Sequence, residues 1–227
     1  MREIMAYFPI FLDLEGKKVI VVGGGSVAQR KIQTLIEYGA KVEVISRDLT
    51  TQLEQLISEN RIRQIGRQFE ERHLDGAFMV IAATDDARLN HEISMMARER
   101  GVLINTVDQP EDCNFIVPSV LKRGELVIAV STSGRSPALA KKVRESLEKA
   151  FGSEYEYLVH MMGQIRKEVL AKKWPTEDNT RIFREIIASN ILDAIKKRDV
   201  DQIARILGNI LKRPFSKDDI RRYLNTE

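Results

Sequence analysis

Hydrophobic residues in the first half of the chain come in short continuous runs, each followed by a stretch with helical period. Val19-Ile20-Val21-Val22 is the first run. A run of this length and composition predicts a strand buried on both faces of a parallel sheet. After three glycines, Val27, Ile32, Leu35 and Ile36 line one side of a predicted helix over residues 27–38, which Gly39 ends. Val42, Val44 and Ile45 give the next strand and complete a β-α-β unit. Leu53, Leu56 and Ile57 mark a helix over 49–60, and Ile62 and Ile65 a short third strand. Residues 78–82 form a fourth strand, 85–100 a helix closed by Gly101, and 102–104 a fifth strand. Strands and helices alternating at this spacing predict an open, mostly parallel sheet with helices on both faces.

The pattern then changes. Residues 125–130 read as a sixth strand and 138–151 as a helix. From Ser153 onward no strand is expected. Tyr157, Leu158, Met161, Met162, Ile165 and Val169 are spaced as one helix, residues 181–197 as a second and 200–211 as a third, with Ser216 placed to cap a short final one. Met161 and Met162 read as core filling. His160 has no ligand cluster around it and reads as structural.

The chemistry concentrates at the turn Gly23-Gly24-Gly25-Ser26-Val27-Ala28. It holds the spacing Gly-x-Gly-x-x-Ala at Gly23, Gly25 and Ala28. Gly23 allows the tight turn, Gly25 lets backbone approach a pyrophosphate, and Ala28 permits close packing of helix on sheet. Free N–H groups at the helix start then face the phosphates. The position between strand and helix is the context this motif requires, and it predicts a Rossmann-type dinucleotide-binding domain. A site for NAD usually has Asp or Glu at the end of the second strand. Here that stretch reads Val44-Ile45-Ser46-Arg47-Asp48, with Glu43 inside the strand. Arg47 suits either the extra phosphate of NADP or stacking on adenine; NAD is the favoured reading. Thr84, after the fourth strand, suits either a cofactor contact or a role at the start of the next helix, which Asp85 or Asp86 fills equally well. Asp108 follows the fifth strand at the same sheet edge, where it is either a proton acceptor or a turn residue before Pro110. Ser131-Thr132-Ser133-Gly134-Arg135-Ser136-Pro137 suits anion binding, with Ser136 and Pro137 also reading as a helix start.

Composition narrows the classes. The chain has 227 residues and a net charge of +3, and its bases are interspersed with acids. That balance does not point to nucleic acid. The apolar runs are too short to span a bilayer, and the start lacks the basic and apolar regions of a signal peptide. Cys113 is the single cysteine, which excludes an internal disulfide and a cysteine-based zinc site and suits a cytoplasmic protein. Cys113 itself reads as a small buried hydrophobe.

With these residues in view, the chain resembles the precorrin-2 dehydrogenase / sirohydrochlorin ferrochelatase family, which includes the N-terminal half of bacterial sirohaem synthase. The resemblance rests on Phe8-Pro9-Ile10-Phe11-Leu12, on Val21 to Lys31, on Ala82-Ala83-Thr84-Asp85-Asp86, on Asn105-Thr106-Val107-Asp108, on Phe115-Ile116-Val117-Pro118-Ser119, and on Ser131 to Ala140. It implies an α/β fold in three parts: a Rossmann-type NAD-binding domain over 1–112, a small α/β dimerisation and cleft segment over 113–150, and a helical domain over 151–227. It implies oxidation of precorrin-2 to sirohydrochlorin with NAD, and, for many members, insertion of ferrous iron as a second substrate. The residues do not separate members that chelate from members that only dehydrogenate. By the same resemblance Asp108 is the catalytic aspartate, Ser26, Val27, Arg47 and Asp48 contact NAD, Ser131, Thr132, Ser133 and Arg135 lie near the tetrapyrrole, and the protein is a homodimer. Uroporphyrinogen methylation is not expected. Precorrin-2 carries carboxylates, for which Arg135, Lys141 and Lys142 are candidate partners. A non-catalytic NAD-binding sensor is the competing reading.

Overall fold

A computed structural model describes residues 7–172 and 175–224. The chain divides into two compact units between Val117 and Pro118.

The first unit is the predicted parallel sheet. Strands β1 (Lys18–Val22), β2 (Lys41–Ile45), β3 (Arg63–Gly66), β4 (Met79–Ala82) and β5 (Leu103–Thr106) pair in the order β3-β2-β1-β4-β5, all parallel. Helices α1 (Ser26–Glu37), α2 (Thr51–Ser58) and α3 (Ala87–Glu99) make the crossovers or cover the sheet. Alternation along each strand divides the apolar residues between two layers. Val19, Val21, Val42, Val44 and Ile81 join Ala28, Ile32 and Leu53 under α1 and α2. Ile20, Val22, Val80, Ala82 and Ile104 join Ile93 and Ala97 under α3. Both faces are covered, which is why these strands read as unbroken hydrophobic runs.

The order reverses at β1. The connection after β1 leads outward to β2 and β3, and the chain then returns to place β4 on the other side of β1. A crevice opens at the carboxyl ends of strands flanking such a reversal.

The second unit starts with an antiparallel hairpin, β6 (Ser119–Arg123) and β7 (Leu126–Val130), in a separate two-stranded sheet. Sequence reading expects β7 but not β6. Its turn is only Gly124-Glu125, with Gly124 at φ 56, as short hairpin turns require. Helices α4 (Pro137–Ala150), α5 (Glu154–Ala171), α6 (Thr176–Ala188), α7 (Ile191–Lys196), α8 (Val200–Leu211) and α9 (Lys217–Leu224) follow. Met161 is fully buried and Met162 packs against the same cluster, as core-filling methionines should. The single helix expected over 181–197 is two helices. The Ser189 hydroxyl donates to the Ile186 carbonyl at 2.7 Å and accepts from the Ile191 amide at 3.3 Å. Those bonds compete with the helical ladder and break it. Ser216 does cap α9: the Asp219 amide donates to its hydroxyl at 3.1 Å, and the Asp219 carboxylate accepts from the Ser216 amide at 2.9 Å. The Ser216 bonds hold the Asp219 carboxyl below its ordinary range.

Candidate functional site

The turns after β1, β2, β3, β4 and β5 border an open cleft of about 1220 Å³. Pockets for drug-sized ligands run to roughly 300–1,000 Å³. The cleft therefore has room for a ligand of two joined nucleotides.

Its floor is the glycine turn, and each glycine answers to a different neighbour. Gly23 sits at φ 120, and a Cβ there would run into the Ala83 carbonyl after β4. A Cβ on Gly24 would run into the Asp48 carbonyl and come within 2.7 Å of the Ser46 hydroxyl. Gly25 has ordinary extended backbone and open space beyond it. Gly25 is thus small for something that is not protein, whereas Gly23 and Gly24 are small for the fold. No side chain caps α1, and the first amide of the helix to find a carbonyl is Gln29, on Gly25 at 2.9 Å. The helix start can therefore donate to an anion over Gly25. Ser26 and Val27 line the cleft, while Ala28 is fully buried between helix and sheet, where its small size is used.

At the β2 end Glu43 is turned away. Its carboxylate pairs with Lys18 at 3.5 Å and Arg63 at 3.7 Å, and it does not line the cleft. The Ser46 hydroxyl donates to the Asp48 carbonyl at 2.7 Å, folding a turn that presents Arg47 and Asp48 to the cleft. The Thr50 amide donates to the Gly24 carbonyl at 3.1 Å and its side chain caps α2, so the β2 turn is tied to the glycine turn. Arg67, Gln68 and Phe69 also line the cleft. Sequence reading missed them, although they directly follow β3, whose carboxyl end faces the same edge.

At the β4 end Thr84 lines the cleft with its hydroxyl occupied. It donates to the Asn90 side chain at 2.8 Å and accepts from the Asp86 amide at 3.2 Å. Asp86 is the cap of α3, accepting from Arg88 and Leu89 at 3.0 Å each. Asn90 is buried and also donates to the Thr84 carbonyl at 3.0 Å, so it fixes this wall.

At the β5 end Asp108 is exposed, lines the cleft, and holds φ 61. Left-handed backbone is costly for most residues and tolerated by Asp. The turn is held on both sides: the Val107 amide donates to the Ala82 carbonyl at 2.9 Å, and the Thr106 hydroxyl to the Gln109 carbonyl at 2.8 Å. The Gln109 side-chain amide donates to the Ala87 carbonyl at 3.1 Å, which leaves its Oε1 buried with no partner among the described residues. A buried acceptor without a donor at a cleft edge fits a ligand that brings an N–H, such as a carboxamide. Cys113 is buried as expected; its Sγ accepts from the Thr106 amide at 3.2 Å.

Ser131, Thr132, Ser133 and Arg135 belong to the second unit, on the loop between β7 and α4, and do not line this cleft. Two hydroxyls serve the loop itself: Ser131 accepts from the Ser133 amide and Thr132 from the Ser136 amide, both at 3.0 Å. Ser136 caps α4, accepting from Leu139 at 3.2 Å, and Pro137 takes the first helical position. Arg135, Lys141 and Lys142 are exposed.

The glycine turn at a strand reversal agrees with what comparison finds. Residues 10–119 match the family model for NAD(P)-binding, and residues 123–150 match that of the sirohaem biosynthesis protein central region. The chain is 39% identical over 188 residues to a siroheme synthase of Methylobacillus flagellatus, covering 83% of this chain and 40% of the relative. It is 35% identical over 211 residues to that of Neisseria meningitidis serogroup C, covering 93% of this chain and 44% of the relative. The chain belongs to the sirohaem synthase family. It spans about two fifths of the length of the curated relatives it matches. A solved structure titled SirC, precorrin-2 dehydrogenase, shares the fold with a TM-score of 0.71 at 24% identity, covering 91% of this chain and all of that one. All the residues lining the cleft at the β1–β4 reversal fall within the stretch that matches the NAD(P)-binding family model. No group of three or more metal-ligating side chains occurs among the described residues, and no described helix is long and apolar enough to cross a membrane.

Proposed function

We propose that the chain oxidises precorrin-2 to sirohydrochlorin with NAD as oxidant. The carrying observation is the carboxylate of Asp108, held in a left-handed turn on the rim of the cleft whose floor is the glycine turn. Bound dinucleotide supplies the hydride acceptor. The chain's residues do the rest. The free amides at the start of α1 would hold the pyrophosphate, and the Gln109 Oε1 would accept from the carboxamide. Oxidation removes a hydride from a ring carbon of the substrate and a proton from the macrocycle; Asp108 takes the proton. Arg135 and the Ser131–Ser133 loop bind substrate carboxylates. Residues 113–150 form the dimer contact.

Iron insertion is a second reading, favoured by the iron-bearing product in the relatives' name, siroheme synthase. Ferrous iron would enter as substrate. The macrocycle supplies four nitrogens as ligands, so the protein need only accept their protons, and Asp108 serves there too.

Anaerobic incubation with precorrin-2 and NAD, followed in the visible spectrum, tests the dehydrogenase. The expected result is sirohydrochlorin with an equal amount of NADH. Dinucleotide binding without spectral change would favour the sensor reading. Ferrous iron added to the same mixture tests chelation by the appearance of sirohaem above the protein-free rate.

A further inference from the structure

The segment that follows Asp108 is held from one side by a single helix. Residues 110–112 form one short helical turn, and α3 packs against it. Ala87, His91, Ser94 and Arg98 are spaced along α3 so that they share one face. The Ala87 carbonyl accepts from the Gln109 side-chain amide at 3.1 Å. His91 Nδ1 donates to the Asp112 carboxylate at 2.8 Å, and the Ser94 hydroxyl to the Asp112 carbonyl at 2.6 Å. Arg98 donates to the Glu111 carbonyl at 3.0 Å, to the Cys113 carbonyl at 2.8 Å and to the Ser94 hydroxyl at 3.3 Å. The Asp112 side chain is only 8% exposed. Burying a carboxylate costs desolvation, which a turn closed by backbone bonds alone avoids.

Asp108 is fixed only through its backbone. Its carboxylate has no hydrogen bond or ion pair among the described residues, and its φ of 61 lies in the left-handed region. A residue there keeps its place when the surrounding structure over-determines it. The bond from Val107 to the Ala82 carbonyl holds the near side of the turn, and the face of α3 holds the far side.

We propose that His91, acting through Asp112, and Arg98 are positioning residues that hold Asp108 at the rim of the cleft. The inference rests on the reading of Asp108 as proton acceptor. A base must lie within hydrogen-bond reach of the proton it takes, and a misplacement of about 1 Å can cost about a hundredfold. Neither His91 nor Arg98 lines the cleft, so each acts on Asp108 through the turn.

Steady-state oxidation of precorrin-2 by the full chain tests it, with His91→Leu, His91→Asn and Arg98→Met, each alone and combined with Asp108→Asn. His91→Leu and Arg98→Met should lower kcat about tenfold, the loss of a hydrogen-bonded anchor, with the KM for precorrin-2 and the NAD+ dissociation constant within about threefold. His91→Asn places a donor where Nδ1 stands and should restore kcat. In the Asp108→Asn background neither loss should appear, because residues that act through one group are not additive with its removal. Losses of equal size in both backgrounds overturn the inference and mark a general weakening of the sheet unit. Unchanged kcat in His91→Leu and Arg98→Met overturns it too, and so does a loss in His91→Asn as large as in His91→Leu. Hydrogen exchange over residues 106–113 gives a reading that needs no turnover: it should quicken in His91→Leu and Arg98→Met but not in His91→Asn. A chain that leaves precorrin-2 unchanged fails the dehydrogenase reading, and exchange then decides the clamp alone, unchanged rates overturning it.

Discussion

Asp108 and the glycines of the β1 turn divide the work of the cleft in ways that single substitutions can separate. Asp108→Asn keeps the shape and the tolerance for left-handed backbone and removes the negative charge. A proton acceptor contributes about 10²–10⁴-fold to turnover, so turnover should fall at least about a hundredfold. Dinucleotide affinity, measured by titration, should stay within about threefold, a shift under 1 kcal/mol. Turnover near that of the unsubstituted protein would remove Asp108 from the chemistry. Gly24 and Gly25 make a second contrast. Gly24→Ala drives a methyl group into the Asp48 carbonyl and should cost about 1–3 kcal/mol of stability, as other overpacking does. Gly25→Ala meets open space and should leave melting nearly unchanged while weakening dinucleotide binding, because its methyl group occupies the phosphate's place. Equal melting of the two variants would show that the Asp48 turn yields. The spacing of Gly23, Gly25 and Ala28 is visible in the chain; the reason for Gly24 is not, because its neighbour lies on the turn after another strand.

Elements show the same division between local and distant causes. The five parallel strands are legible because each is buried on both faces and therefore continuously apolar. The caps are legible because Ser136, Pro137 and Ser216 act on backbone within a few residues. β6 escaped notice because its burial alternates weakly and its pairing is fixed only by the turn at Gly124. The break between α6 and α7 was hidden because the apolar period runs through Ser189 undisturbed. A distant clasp in the helical unit has a measurable signature. The Tyr223 hydroxyl on α9 donates to Glu168 on α5, and Arg213 donates to Glu168 at 2.6 Å and to the Tyr223 oxygen at 3.0 Å. Burial first, and then the Glu168 carboxylate, push the Tyr223 phenol up from 10.0 to about 12. The unfolded chain releases that proton near pH 10, so the stabilisation is complete below pH 10 and is lost as pH rises towards 12. Tyr223→Phe should cost about 1.5 kcal/mol at neutral pH and should flatten the alkaline part of the stability profile. Urea midpoints across that range, on the full chain, check both effects. Lys31 in the first unit has the opposite sign. Burial, then Arg30, lower its pKa below 10.5. The folded chain therefore gains stability as pH rises through that lowered value towards 10.5, and Lys31→Met should remove the gain.

At the scale of the molecule, each apolar cluster lies wholly within one unit. Ile20, Val80 and Ile104 belong to the sheet unit, and Met161, Ile165, Ile186 and Leu207 to the helical one. Proteins open in cooperative groups defined by such clusters, and a ligand stabilises the group that forms its site. The cleft proposed to hold the dinucleotide is lined only by residues of the first unit. Cofactor at a hundred times its dissociation constant should therefore slow hydrogen exchange of β1, β2, β4 and α1 by up to about 2.7 kcal/mol in opening free energy, while α5, α7 and α8 keep their own rates. Ile165→Ala, which empties a fully buried position, should give the converse pattern. It should cost about 2–5 kcal/mol in the helical unit and leave exchange in the parallel sheet unchanged. Native-state hydrogen exchange read by mass spectrometry distinguishes these cases. Cofactor protection that spreads equally into α5, α7 and α8 would mean that the two clusters open together.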